Sequence, residues 1–283
     1  MTARWVVEES PLADRAALID GDEILAAHIA LKGDDHPQLG TVLAAKWYSP
    51  QRINAGERPA AAILTDSHGN ELYLPRPPAG AGPGQTLTVE VVRERVWTPR
   101  SDKLAKVRIS EAAPAAAPTL AEQLAVEPLS PYQSDTLEAA GWSELIEQAE
   151  SGRIDSDGVR LWLDTTEAMT LIDVDGTLTP DQLAIAGATL VARTILRLDI
   201  GGSIGIDFPT QTSKAARNAT AEAFDAAMTG SFERTAINGY GFMQVIRPLL
   251  RPSLVAIMAS PHAATERARH TWRADYDGYL KRG

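Results

Sequence analysis

Hydrophobic and polar residues alternate with a period of two along the first 110 residues, as they do in half-buried β-strands. The runs RWVVE (4–8) and RAALIDGDEILAAHIAL (15–31) predict strands, and Gly21-Asp22 predicts a hairpin turn within the second run. Between about residues 40 and 110, turn residues separate five further runs: LGTVLAAKWY, AAAILTD, ELYLPRP, LTVEVVRERVW and LAKVRIS. Five short strands in such a length predict a small barrel of the oligonucleotide-binding (OB) type.

The pattern changes after residue 110. The segment 111–131 is rich in Ala and Pro and predicts a linker with a short helix near residues 120–126, and a helix is predicted over 134–151. From Gly158 onward strands and helices alternate. The predicted strands are VRLWLDTT, AMTLIDV, GSIGIDF, ERTAIN and LVAIM, and the predicted helices run from Pro180 to Leu198 and from about Thr212 to Met228.

These patterns predict an α+β or α/β fold in five parts. An N-terminal hairpin (1–35) packs on the C-terminal part, a barrel (36–112) and a linker (113–133) follow, and an α/β domain (134–260) precedes a C-terminal helix or tail (261–283).

Two aspartates, Asp173 and Asp207, each follow an apolar run, in LIDVDGT and IGIDFPT. The helix between them is predicted to begin with a capping box of Thr179 and Gln182 and to end at Gly201-Gly202. A strand–helix–strand connection makes the two strands parallel, so both aspartates are expected at the same edge of the sheet. Because neighbouring carboxylates repel each other unless a cation lies between them, the pair predicts a divalent metal site.

Composition narrows the chemistry of that site. The 283 residues include no Cys, and the five His have no metal-binding spacing, which excludes thiolate zinc sites and favours Mg²⁺, or Mn²⁺, held by oxygen atoms.

The sequence has no membrane-length apolar run and no signal-peptide pattern, which predicts a cytoplasmic protein without a membrane partner. A net charge of −10 disfavours nonspecific nucleic-acid binding but leaves room for a local basic groove.

The motif D-x-D-G-T at residues 173–177 is also the first motif of the haloacid dehalogenase phosphatases. In that interpretation Asp173 is the nucleophile and Lys214 the accompanying lysine. No acidic pair follows a later apolar strand, as that family requires to hold magnesium. Because this pair is missing, a phosphatase is an alternative hypothesis and not the first one.

Three segments together resemble the ribonuclease E/G family: DTTEAMTLIDVDG (164–176), RTILRLDIGGSIGIDF (193–208) and NGYGFMQVIRPLLRPSL (238–254). The N-terminal LADRAALIDGDEILAAHIAL is similar to the hairpin that precedes an inserted S1-type barrel in that family. The resemblance implies an S1-type OB barrel followed by a catalytic domain of the DNase I-like kind. It also implies a Mg²⁺-dependent endoribonuclease that cleaves single-stranded RNA to 5′-phosphate and 3′-hydroxyl products.

The resemblance also implies roles for individual residues. Asp173 and Asp207 are assigned to catalysis and to the metal, Asp175 is a further metal ligand where the family has asparagine, and Glu167 is a supporting residue. The expected RNA contacts in and next to the barrel are Tyr73, which would stack a base, and Arg100, Lys103 and Lys106. Tyr73 could instead belong to the barrel core, and Lys103, Lys106 and Arg108 to a solvated edge. Candidate phosphate contacts in the α/β part are Arg193, Arg197, Lys214 and Arg217.

The chain also departs from the family pattern. The R-T-A-G-x-G signature of 5′-monophosphate recognition and the zinc-linking cysteines are missing, which predicts cleavage without 5′-end sensing and excludes a zinc-linked tetramer, while a homodimer remains open. Residues Gln182, Ala184, Ala186 and Gln244 replace asparagines and glutamates of the family. A second hypothesis is therefore an RNA-binding protein of the same fold with weakened catalysis.

Overall fold

A computed structural model describes residues 3–10, 13–32, 35–48, 61–98, 100, 102–129, 136–261 and 263. Within these ranges the fold is α+β, with two open sheets and one closed barrel. None of the helices in these ranges is long and apolar enough to span a membrane. The predicted C-terminal helix or tail lies almost entirely outside the described residues.

The N-terminal strands form a three-stranded antiparallel sheet of β1 (Arg4–Glu8), β2 (Ala13–Asp20) and β3 (Glu23–Leu31). The predicted turn between β2 and β3 is confirmed, and Gly21 adopts a left-handed φ of 63° there.

The predicted barrel is confirmed as five strands: β4 (Val42–Tyr48), β5 (Ala61–Thr65), β6 (Glu71–Pro75), β7 (Thr86–Arg93) and β8 (Ala105–Ile109). The barrel closes in the order β4-β5-β6-β8-β7, with β6 and β8 parallel. Alternate residues such as Trp47, Leu64 and Leu72 fill its interior. The architecture is consistent with an OB-like barrel.

Three helices follow the barrel. The short helix α1 (Leu120–Leu124) forms where the sequence predicts it and begins with a capping box between Thr119 and Glu122. The single helix predicted over residues 134–151 is instead two, α2 (Thr136–Ala139) and α3 (Trp142–Ser151). Gly141, at a φ of 90°, separates them because a left-handed residue interrupts a right-handed helix.

The rest of the described chain builds a six-stranded sheet and three helices. Its elements are β9 (Arg153–Ser156), β10 (Val159–Thr165), β11 (Thr170–Gly176), α4 (Pro180–Arg197), β12 (Gly202–Asp207), α5 (Lys214–Ala227), β13 (Glu233–Arg234), β14 (Phe242–Arg247) and α6 (Leu254–Met258). The strand order is β13-β14-β12-β11-β10-β9. Of the described pairs in this sheet, β11 and β12 are parallel and the others are antiparallel, which explains why the fold is α+β rather than α/β.

Two local predictions in this region need correction, and one strand was missed. The run LVAIM is the helix α6 and not a strand, because the Ser253 side chain accepts a hydrogen bond from the Ala256 backbone N–H and caps it. The strand β14 was not predicted. At the start of α4 the Thr179 hydroxyl donates to the Gln182 side chain at 2.7 Å instead of capping the backbone, so the helix begins as predicted but without a capping box.

One face of the six-stranded sheet is covered by helix α4. The helix buries Ala184, Ala188 and Val191 in the same core as Ile172 and Ile206 of the sheet. A Cβ on Gly187 would lie 2.5 Å from a Val174 methyl group, which shows how closely helix and sheet approach. Residues of the N-terminal sheet join this core, whereas the barrel has its own. The opposite face of the six-stranded sheet carries exposed side chains.

Candidate active site

The two predicted aspartates are paired on neighbouring parallel strands. Asp173 of β11 is the register partner of Asp207 of β12, and parallel strands lie about 4.8 Å apart. Ile172, Val174 and Ile206 beside them are buried in the core, so alternation turns both carboxylates to the open face of the sheet. The prediction that they meet at one edge is confirmed.

Negative charge is concentrated at the pair, and it affects the pKa of Asp173. Partial desolvation, followed by the charges of Asp207 and then Asp175, raises the pKa of Asp173 above its ordinary value. A cation between the carboxylates would offset this repulsion and favour their ionised forms.

Two aromatic residues lie in the same row across the sheet. Trp162 of β10 is paired with Asp173, and Phe242 of β14 is paired with Asp207. The row therefore reads Trp162, Asp173, Asp207, Phe242, with all four side chains on the open face. Trp162 is 44% exposed, whereas Phe242 is half-buried.

Helix α5 follows β12 in the chain and begins at Lys214. Asp181, in the first turn of α4, accepts hydrogen bonds from the Thr212 backbone N–H at 3.0 Å and from its hydroxyl at 2.6 Å. These bonds fix the segment between Asp207 and α5, and they lower the pKa of Asp181. The predicted phosphate contact Lys214 is exposed as the first residue of α5, where the positive end of the helix dipole also favours anions.

Asp175 lies two residues after Asp173 on the same face, beyond the end of the pairing with β12. Its side chain accepts a hydrogen bond from the Gly176 backbone N–H at 2.7 Å. Within the described residues, no three His, Asp or Glu side chains are grouped closely enough to hold a metal ion together. The candidate site is thus centred on the pair, and the role of Asp175 as a ligand stays a prediction.

A second candidate surface crosses the outer face of the barrel. Cross-strand pairing aligns a row of outward-facing residues: Tyr48, Ile63, Tyr73, Lys106 and Arg93. Tyr73 is half-buried and lies outside the barrel core, whose members on the same strand are Leu72 and Leu74. The alternative that placed Tyr73 in the core is therefore wrong. Tyr48, 57% exposed, was missed by sequence reasoning, although its position one residue after the buried Trp47 follows from strand alternation.

The remaining predicted RNA contacts lie in different places. Arg100 and Glu167 lie near each other, with 3.9 Å between Nε and Oε1, and both are exposed. Lys103 pairs through its backbone with Val96 and lies near Thr170 and Ser203, at the amino ends of β11 and β12. It is therefore at the opposite end of these strands from the aspartate pair.

Arg193 and Arg197 lie near the C-terminal end of α4, which covers the other face of the sheet. Arg193 is exposed, and Arg197 is half-buried near Glu144 and Glu23; burial lowers its pKa. The structure does not bring these two arginines to the aspartates. Arg217, on the first turns of α5, is half-buried.

The family model described as the Ribonuclease E/G family matches residues 94–248, which is more than half of the chain and includes both aspartates. The chain belongs to the ribonuclease E/G family. Membership in this ribonuclease family implies a hydrolase that acts on RNA, and it gives no support to the phosphatase alternative. The comparison with curated proteins gives no match.

Proposed function

We propose that this ribonuclease E/G family member is a Mg²⁺-dependent endoribonuclease that cleaves single-stranded RNA at the Asp173–Asp207 pair. The observation that carries the proposal is the register of that pair, which places two carboxylates on one open sheet face inside the region matched by the family model. The products would be 5′-phosphate and 3′-hydroxyl ends.

The residues present suit magnesium, and Mn²⁺ as a substitute. Mg²⁺ is commonly held by one or two carboxylates together with substrate phosphate and water, so a pair is sufficient. Asp173 and Asp207 would hold the ion, with Asp175 beside them. The bound metal would supply a Lewis acid that activates water and neutralises charge on the phosphate. The raised pKa of Asp173 supports a cation at this place, because a positive charge there would offset the partial desolvation of the carboxylate and the charges of Asp207 and Asp175.

We further propose that the barrel is an S1-type RNA-binding module and that the C-terminal part is a DNase I-like catalytic domain. The outward row of Tyr48, Tyr73 and Lys106 supports the first assignment, because tyrosine rings stack bases and lysine attracts phosphate. Lys214 at the start of α5 would contact a phosphate near the aspartates. The missing 5′-sensor signature supports cleavage that is independent of the 5′ end.

The test is cleavage of a fluorescent single-stranded RNA in Mg²⁺ by the wild-type protein and by Asp207→Asn. We expect the variant to lose about a thousandfold or more in kcat/KM, because the carboxylate acts in the reaction itself. The matched control is Asp164→Asn, since Asp164 is exposed on the same face but pairs with Leu171 outside the row of the aspartates. Equal loss in both variants would contradict the assignment.

Two further measurements distinguish the alternatives. Salt-sensitive RNA binding without cleavage would support the RNA-binding protein with weakened catalysis. Turnover of a generic phosphate ester while the RNA stays intact would support the phosphatase and contradict the nuclease.

A further inference from the structure

Trp162 is an exposed indole directly beside the aspartate pair. It is 44% exposed and stands opposite Asp173 in the antiparallel pairing of β10 with β11. Directly opposed residues have Cβ atoms about 4.5–5.5 Å apart, so a group bound at Asp173 is within reach of the ring. Covering the indole would remove a large apolar surface from water.

Two arginines place positive charge around this ring. The guanidinium carbons of Arg153 and Arg160 are 5.5 and 5.9 Å from the ring centroid. Both side chains also bind Asp155, at 2.6 and 2.7 Å, so the cluster combines two positive charges with one negative charge. Asp173 opposite Trp162 and Asp175 opposite Arg160 add negative charge on the same face, which the metal ion proposed at the aspartate pair would offset. An exposed aromatic ring beside two guanidinium groups offers a nucleotide a stacking face for its base and donors for its phosphate.

On the other side of the aspartate pair, next to Asp207, the aromatic residue Phe242 is less exposed than Trp162. A Cβ on Gly205 would lie 2.8 Å from the Phe242 ring and 2.9 Å from a Leu171 methyl group, so these side chains pack over the glycine. Phe242 is consequently half-buried, and its ring is engaged with its neighbours. Of the two aromatics in the row, Trp162 is the more exposed, and a base would stack on the part of its ring that the two guanidinium groups leave uncovered.

We propose that Trp162 stacks the nucleobase next to the scissile phosphate of the RNA, and that Arg153 and Arg160 contact the adjoining backbone phosphate. The proposal rests on the proposed function for the position of the scissile phosphate. The stacking itself contributes to RNA affinity, so its effect can be measured as a Kd without any cleavage.

Binding is measured by fluorescence anisotropy of a single-stranded oligoribonucleotide in EDTA. Trp162→Leu removes the aromatic face and is expected to raise Kd about tenfold, whereas Trp162→Phe keeps a stacking ring and stays closer to the wild type. Ile246→Ala is the control, since Ile246 is 47% exposed on the same face and pairs with Ser203 instead of an aspartate. The control is expected to bind as the wild type does.

Cleavage kinetics then identify which nucleobase of the RNA stacks on Trp162. In an RNA with one cleavage site, an abasic nucleotide is placed in turn on each side of the scissile phosphate. We expect one of these substrates to raise the wild-type KM about tenfold, and this penalty to vanish in Trp162→Leu, with kcat changed less than KM.

An unchanged Kd and KM in Trp162→Leu, or an abasic penalty that persists in it, would overturn the proposal. Dissociation of a dimer by Trp162→Leu, with RNA affinity unchanged, would also overturn it and assign the surface to a second copy of the chain. If the wild type cleaves no RNA but Trp162→Leu still weakens binding, the stacking role stands and the proposed nuclease function fails.

Discussion

The two faces of β11 and β12 differ completely, although alternate residues of the same two strands form them. One face carries Ile172, Val174, Ile204 and Ile206, each at most 5% exposed and part of the core to which α4 also contributes. The other carries Asp173 and Asp207, both exposed, with Trp162 and Phe242 on either side. Strand alternation thus joins a rigid core and a charged surface within one backbone.

This difference shows how the site tolerates its own repulsion. Two ionised carboxylates in the covered face would lose their hydration without gaining a partner, at a cost of several kcal/mol each. On the open face they keep contact with water, which the proposed metal ion would replace. The buried face meanwhile fixes the register that holds the pair together.

The largest expected effect on stability comes from comparing one substitution, isoleucine to alanine, on the two faces of the sheet. Ile206→Ala, at a position with 0% exposure, is expected to lower the free energy of unfolding by about 2–5 kcal/mol because it leaves a cavity in the core. Ile246→Ala on the open face, at 47% exposure, should change it by less than about 1 kcal/mol. Urea denaturation followed by circular dichroism measures both values, and equal losses would contradict the assignment of the faces.

A smaller effect is expected from a cluster of half-buried charges next to the covered face. Asp199, between α4 and β12, forms hydrogen bonds with His28 at 2.8 Å and with Arg247 at 3.3 Å. Burial alone would raise the pKa of Asp199, but the hydrogen bond with His28 and the charges of His28, Arg251 and Arg247 outweigh it, and the pKa lies below its ordinary value. The ionised form therefore stabilises the fold at every pH above the ordinary carboxyl pKa, and this contribution is lost as the pH falls through the lowered folded-state pKa.

Asp199→Asn should lower the free energy of unfolding at pH 7 by about 1.5–3 kcal/mol, since it replaces a charged acceptor with a neutral one. Asparagine also tolerates the φ of 49° found at Asp199, so backbone strain is not added. Urea midpoints measured from neutral to acid pH should show a weaker acid dependence in the variant than in the wild type. Parallel curves would mean that Asp199 is not a stabilising carboxylate.

The sequence predicted the aspartate pair because the strand–helix–strand pattern around it leaves little choice of topology. It also predicted the barrel, whose five runs are separated by clear turn signals. It could not predict α6, because a five-residue apolar run fits a buried helix as well as a strand.

Interpretation of the arginines and of Trp162 required the structure. Arg193 and Arg197 lie one helical turn apart, but that spacing does not reveal which face of the sheet α4 covers. The alternation in VRLWLDTT places Arg160 and Trp162 on the same face, yet only the strand order shows that this face is open and that β10 adjoins the aspartates.

The central claim is that Asp173 and Asp207 act as one metal site. Titration with Mn²⁺ followed by electron paramagnetic resonance measures it directly in the wild type, Asp173→Asn, Asp207→Asn and the control Asp164→Asn. We predict one Mn²⁺ site in the wild type and the control, and its loss in either of the other two variants. Retention of wild-type Mn²⁺ affinity in both Asp173→Asn and Asp207→Asn would contradict the claim.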